Sequence, residues 1–266
     1  MILKKHKPWV DFLIVGAQKS GTTTLHAYLK EHPEIMMPDR KELHFFNKDD
    51  FFKASEPDYA HYHSFFNEAC EKMQTSESNN DRLLGEATPA YLYCRDAAKR
   101  IWQYNPAMKI IIILRNPVDR AFSHWNMEVA RGAESLSFSD ALKYESTRCR
   151  QALPSQHYVY SYRDRGFYST QIREYWRFFS KQQVFVIKYD DLVKESEKVL
   201  QKTFGFLGVA QEKAHILSHE TKKLNAIAYK ERMTEAQRQD LLSYFRYEIK
   251  QLEDMLGWQC ETWFAG

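Results

Sequence analysis

Cysteine pairs, a charge surplus and long apolar runs are all scarce in this sequence, and each scarcity removes a class of function. The four cysteines, Cys70, Cys94, Cys149 and Cys260, are widely spaced with no CxxC pair. That spacing points away from a zinc cage or a small disulfide scaffold and toward ordinary, mostly buried thiols. The formal net charge is only +3, too small to argue for nucleic acid, so any anion must be bound by a local site. No stretch reaches the roughly 18 to 20 apolar residues that a membrane span needs. Basic residues do precede an apolar run in MILKKHKPWVDFLIVG. That run is short, however, and leads straight to Gln18 and Lys19 rather than to a small-residue cleavage site, so it reads as a strand and not a signal peptide. The expected setting is soluble and cytoplasmic, unless an N-terminal anchor has been removed. Internal repeats and low-complexity tails are also lacking.

What the sequence does have is the patterning of a large α/β core. Its 266 residues can bury one sizeable core, and a single domain over residues 1–266 is expected. Hydrophobic residues at 44% and charged residues at 27% are ordinary, whereas aromatics at 15% are abundant enough to line a cleft or fill a Phe- and Tyr-rich core. Apolar runs at Phe12–Val15, Ile110–Leu114 and Val184–Ile187 each precede a helix-like segment. Such repetition implies right-handed crossovers and a parallel sheet covered on both faces. Ile110–Leu114 lacks polar alternation and is expected to be a central strand, and Leu83–Leu84 before Gly85 adds a fourth. Helices are expected over Thr22–Lys30, Pro117–Arg131, Phe138–Tyr144, Tyr168–Phe179, Asp191–Leu207 and Thr234–Leu256, the last N-capped by Thr234 and ended before Gly257. Residues 71–82 are polar and turn-rich and read as a surface loop.

Two strand-to-helix joins carry the chemistry. In open parallel sheets ligands bind beyond the carboxyl ends of the strands, where a helix N-terminus offers unpaired N–H groups to an anion. GAQKSGTT, residues 16 to 23, occupies such a join. Gly21 lets the backbone approach phosphate oxygens, and Thr22 and Thr23 offer hydroxyls. A nucleoside-triphosphate loop reads GxxxxGK[ST]; this stretch keeps the glycine spacing but puts Thr22 where the lysine belongs and Lys19 in mid-loop. A different phosphate geometry follows, the alternative being a tight turn with an exposed lysine. IIIILRNPVDRAFSHW, residues 110 to 125, forms a second join with Arg115 at the turn, Pro117 early in the helix and Ser123 further along. Arginine's planar fork suits a phosphate monoester. Anion sites on two neighbouring strand ends imply a nucleotide with phosphates at both ends.

The pairing of QKSGTTTL with LRNPVDRAFSHW resembles the sulfotransferases that use 3′-phosphoadenosine 5′-phosphosulfate (PAPS). KELHFF (41–46), EATPAYL (86–92), RGFYSTQIREYWRFF and the ending LLSYFRYEIKQLEDMLGWQCETW are similar to the carbohydrate, heparan-sulfate-type branch and its stand-alone bacterial relatives. The resemblance extends over nearly the whole chain. It implies a P-loop-like central parallel sheet flanked by helices, PAPS as co-substrate, no metal, and a hydroxyl-bearing acceptor, most readily a carbohydrate. It also implies site residues. Lys19, Ser20, Gly21, Thr22 and Thr23 would hold the 5′ end, and Arg115 and Ser123 the 3′-phosphate. Lys19 would also stabilise the leaving oxygen, and Glu42 would be the base. His44, two residues on and on the same side of an extended chain, is the second candidate base or an acceptor-binding residue. A late basic loop closes over the nucleotide in relatives, and ETKKLNAI, with Lys222, Lys223 and Asn225, is the local candidate for it. Where several carbohydrate enzymes have a lysine-glycine pair, this chain has Lys223, Leu224 and Asn225; where heparan-type enzymes often carry lysine before TPAY, it has Ala87. Their late cysteine pair is absent too, which weakens a glycosaminoglycan assignment and favours a reducing setting.

Other constellations have plainer readings. HYH at His61 to His63 lacks a partner carboxylate or cysteine and reads as a solvated or acceptor-facing loop. Asp190 and Asp191 after a strand could mimic a magnesium site but read as helix caps. Tyr168 and Trp176 share one strip of a helix and read as core. Rival functions remain a sulfotransferase for a small-molecule, lipid or polyketide hydroxyl, a non-catalytic nucleotide-binding module, and a kinase-like enzyme, against which the place of Lys19 counts.

Overall fold

A computed structural model describes residues 10–54, 56–67, 82–214, 229 and 231–264. Among these residues five strands, β1 (Phe12–Gly16), β2 (Ile35–Met36), β3 (Leu83–Ala87), β4 (Lys109–Leu114) and β5 (Val184–Lys188), form one sheet in the order β2-β3-β1-β4-β5. Every pairing is parallel, with Ile14 opposite Ala87 on one side and Ile111 on the other. The unbroken apolar runs have a simple cause. Leu13, Val15, Ile110, Ile112 and Leu114 enter one core, whereas Phe12, Ile14, Ile111, Ile113 and Ile187 enter the other, so both faces of each strand are buried.

Ten helices flank the sheet among the described residues: α1 (Thr22–Lys30), α2 (Tyr59–Ser64), α3 (Ala97–Tyr104), α4 (Pro117–Ala130), α5 (Phe138–Arg150), α6 (Tyr168–Phe178), α7 (Tyr189–Lys194), α8 (Ser196–Leu207), α9 (Glu235–Leu256) and α10 (Glu261–Phe264). Local chemistry fixes their ends. Asn116 caps α4 by accepting from the Val118 N–H, with Pro117 in the first turn, and Thr234 and Gln237 form a reciprocal capping box on α9, which Gly257 closes in left-handed conformation.

Several expectations need correction. The helix expected over Asp191–Leu207 is two helices, because Glu195 (φ −132°, ψ 47°) leaves helical geometry and becomes the N-cap of α8. Asp190 and Asp191 are not caps: they lie in the first turn of α7, and Asp190 Oδ2 accepts the Trp263 indole N–H at 2.6 Å. His61 and His63 sit on a helix rather than in a loop, because Asp58 caps it through the His61 N–H at 3.0 Å. Tyr168 is fully buried and Trp176 packs at the edge of the core, as their helical strip indicates. Cys94 and Cys260 are buried free thiols and Cys149 is half-buried. Cys70, nearly all of the loop 71–82, and Lys222, Lys223 and Asn225 lie outside the described residues.

Candidate active site

Residues 16 to 23 turn sharply between β1 and α1. The Ala17 N–H donates to Ile113 O at 2.8 Å, which ties the loop to β4, and the Ser20 N–H donates back to Ala17 O at 3.2 Å. Lys19 (φ 70°) and Gly21 (φ 87°) take left-handed conformations. Glycine is required at 21 for a second reason: a Cβ there would stand 2.9 Å from the Tyr189 ring. Gly21 caps α1 without a side-chain hydrogen bond, so the N–H groups of the first turn, at Thr22 and Thr23, are not spent on a capping side chain. Ser20 and Thr22 are buried and Thr23 is half-buried. An anion would complete this helix end, which is the fit a 5′-phosphosulfate needs.

Arg115 follows β4 on the adjacent strand end. Its Nη1 donates to Lys19 O at 3.4 Å and its guanidinium lies 5.1 Å from the Tyr189 ring centroid, while Tyr168 OH donates to Arg115 O at 3.0 Å. Ser123 is buried in the second turn of α4. The turn is braced from the far end of the chain: Asn116 Nδ2 donates to Trp263 O at 3.0 Å, and Trp263 is almost fully buried. The two expected anion loops are thus in contact through Arg115 and Lys19.

Glu42 and His44 also come together, but not through an extended chain. Both have left-handed backbones, at φ 64° and 56°, and the turn between them brings His44 Nε2 within 3.5 Å of Glu42 Oε2. Lys41 Nζ takes the other carboxylate oxygen at 2.6 Å. Burial pushes the Glu42 carboxyl up, but the His44 hydrogen bond and the Lys41 ammonium outweigh it and hold the group at about 2. His44 Nδ1 lies 3.3 Å from Asn47 Oδ1.

Lys19 links the two halves of the site. Its ammonium is pulled below the usual lysine range first by burial and then by Arg131 and Arg115, with Glu128 and Glu42 partly restoring it. Among the described residues it makes no ion pair of its own. A cation so placed gains from an incoming anion. Arg131, Glu128 and Lys41 were not foreseen from the sequence. Arg131 stands eight positions beyond Ser123 on the same chain segment, a helical spacing that could have pointed to it. Among the described residues no group of three His, Cys, Asp or Glu side chains is placed to hold a metal ion. No helix there is long and apolar enough to cross a membrane.

Comparisons with known proteins bear on this arrangement. A family model described as the sulfotransferase domain matches residues 10–251. The chain is 30% identical over 216 residues to the bifunctional heparan sulfate N-deacetylase/N-sulfotransferase 4 of Mus musculus, covering 74% of this chain and 22% of that protein. It is 27% identical over 198 residues to the human heparan sulfate glucosamine 3-O-sulfotransferase 6, covering 74% of this chain and 52% of the other. The chain therefore spans about half the length of these relatives or less. A solved sulfotransferase from Alicyclobacillus acidocaldarius superimposes with a TM-score of 0.73 and 30% identity, over 96% of this chain and 98% of the other. A mouse sulfotransferase complexed with PAP shares the fold at a TM-score of 0.52 and 17% identity, over 90% of this chain and 84% of the other. By the match over residues 10–251, the chain belongs to the sulfotransferase domain family.

Proposed function

We propose that this protein, a single domain over residues 1–266, moves a sulfuryl group from PAPS to an acceptor hydroxyl, most readily on a carbohydrate. The observation that carries the reading is the meeting of two anion-ready strand ends with a carboxylate-bearing turn: Arg115 Nη1 donates to Lys19 O at 3.4 Å, and the Glu42 N–H donates at 3.1 Å to Ala87 O at the end of β3, the strand beside β1. Ser20, Gly21, Thr22 and Thr23 would present N–H and hydroxyl donors to the 5′ end. Arg115 and Ser123 would take the 3′-phosphate, and Lys222, Lys223 and Asn225 would close over the nucleotide. Glu42 would accept the acceptor's proton as its oxygen bonds to sulfur, and Lys19 would neutralise the bridging oxygen as the S–O bond to the 5′-phosphate breaks. His44 steadies Glu42 and is the second candidate for the base. Relatives named for heparan sulfate support a carbohydrate acceptor. Ala87, buried where those enzymes often carry lysine, favours instead a small-molecule or lipid hydroxyl.

Calorimetry and labelled transfer test the reading together. 3′-Phosphoadenosine 5′-phosphate (PAP) should bind more tightly than ATP with magnesium, and tighter ATP binding overturns the donor assignment. Lys19→Ala and Glu42→Gln should each lower sulfate transfer by about 100-fold or more. Transfer within a few-fold of wild type refutes the roles of Lys19 and Glu42, and PAP binding without transfer to any acceptor pool supports a binding module instead.

A further inference from the structure

A buried carboxylate stands directly behind the loop that carries Glu42. Glu86, on β3, is 1% exposed. Its Oε2 accepts from the Thr88 hydroxyl at 2.7 Å and its Oε1 from Tyr62 OH at 3.3 Å. Having directed its proton to Glu86, the Thr88 oxygen offers its lone pairs to the His44 N–H, 3.4 Å away. The neighbouring amides are claimed by the same short stretch: the Glu42 N–H donates to Ala87 O at 3.1 Å and the Phe45 N–H to Tyr91 OH at 3.0 Å. Residues 86 to 91 therefore act as a template for residues 42 to 45.

Such a template is needed because Glu42 and His44 are non-glycine residues in left-handed conformations. Each is a strained conformation that persists only where the surroundings over-determine it. Ala87 supplies a main-chain carbonyl and cannot be reoriented. Thr88 differs, since its hydroxyl can rotate and could donate rather than accept. An acceptor on its proton side keeps the lone pairs on the His44 N–H, and Glu86 Oε2, 2.7 Å away, is placed to be that acceptor.

We propose that Glu86 is a positioning residue for sulfuryl transfer: by holding the Thr88 hydroxyl as an acceptor for His44, it keeps the left-handed turn that presents Glu42 and His44 to the site. The proposal rests on the reading of Glu42 as base. Burial raises the Glu86 carboxyl to about 7, opposed by hydrogen bonds from Thr88, Tyr91 and Tyr62 and by the charge of His44. The groups facing it are His44 from the 42–45 loop, Tyr62 from α2, Tyr91 beyond β3, Tyr104 from α3 and Tyr175 from α6. His44 is the one group among these that can carry positive charge; the ionised carboxylate is the stronger acceptor for the Thr88 hydroxyl, whatever charge His44 carries.

The test compares Glu86→Gln, Glu86→Leu and Thr88→Val, with PAPS turnover, calorimetric PAP affinity and pH profiles for each. Glutamine can still accept from Thr88, so Glu86→Gln should keep kcat within about threefold while losing any inflection of kcat near pH 7. Glu86→Leu and Thr88→Val should each lower kcat by about tenfold or more and leave PAP affinity within about twofold. Parallel loss of kcat and PAP affinity, or full activity in Thr88→Val, overturns the proposal. If Glu86→Leu fails to fold, Thr88→Val decides alone. Failure of the base assignment is seen separately, as wild-type transfer by Glu42→Gln.

Discussion

At the scale of single residues, Glu42 is already an anion before any acceptor arrives. Its carboxyl stays ionised down to about 2 because His44 and Lys41 outweigh the effect of burial. Glu42 therefore sets no limit on activity at ordinary pH. Lys41→Ala removes the nearer cation, and the acid limb of kcat/KM should move up toward the usual carboxylate range, as a pH–rate profile will show. Glu86 behaves in the opposite sense. Its pKa is raised in the fold, so the stability it contributes is complete below the unfolded value of about 4.5 and is lost as pH rises through about 7. Wild-type melting temperature should fall between about pH 5 and pH 8, and Glu86→Gln should flatten that slope. The pairing of these two side chains was readable beforehand: the KELHFF resemblance singled out Glu42 and His44, which the structure brings within 3.5 Å of each other. Their left-handed turn was not readable, because it is imposed by Ala87, Thr88 and Tyr91, more than forty positions away.

At the scale of elements, the strand-to-helix joins have unequal tolerance. Gly21→Ala combines a φ of 87° with a Cβ 2.9 Å from the Tyr189 ring. It should cost about 1 to 3 kcal/mol in denaturant unfolding and weaken PAP binding by about tenfold or more, as expected if the same turn holds the 5′ end as proposed. Thr234→Ala, which removes the capping box of α9, should cost about 1 kcal/mol with PAP affinity unchanged. The long apolar strands declared themselves because both of their faces are buried. The two-residue edge strand Ile35–Met36 and the helix Ala97–Tyr104 did not, being too short or too mixed for a period to stand out. Nor did the break at Glu195, where neither glycine nor proline marks the change.

At the scale of the whole molecule, strand order decides where a ligand can sit. From β1 the chain crosses to the edge strand β2 on one side, whereas from β4 it passes to β5 on the other. Chain direction across the sheet therefore changes between β1 and β4, and the crevice at that change receives residues 16 to 23 from one strand and Arg115 from the other. The sequence indicated that the two anion-bearing strand ends are neighbours; the strand order itself, with the short β2 at the edge, did not follow from it. A ligand that bridges the crevice stabilises the folded state by mass action: PAP at about 100 times its dissociation constant should add about 2.7 kcal/mol and raise the melting temperature by several degrees.

The buried Trp263 extends the structural unit past the recognised family boundary. A chain cut after Leu256 would keep all of the match over residues 10–251, yet the amide of Asn116 and the carboxylate of Asp190 would lose their partners together. Such a cut should weaken PAP binding by about tenfold while leaving the circular dichroism of the sheet intact. The segment works as an outrigger: it carries none of the expected ligand-binding residues but braces Asn116, next to Arg115, and its loss would be felt first as slack in the grip on the nucleotide.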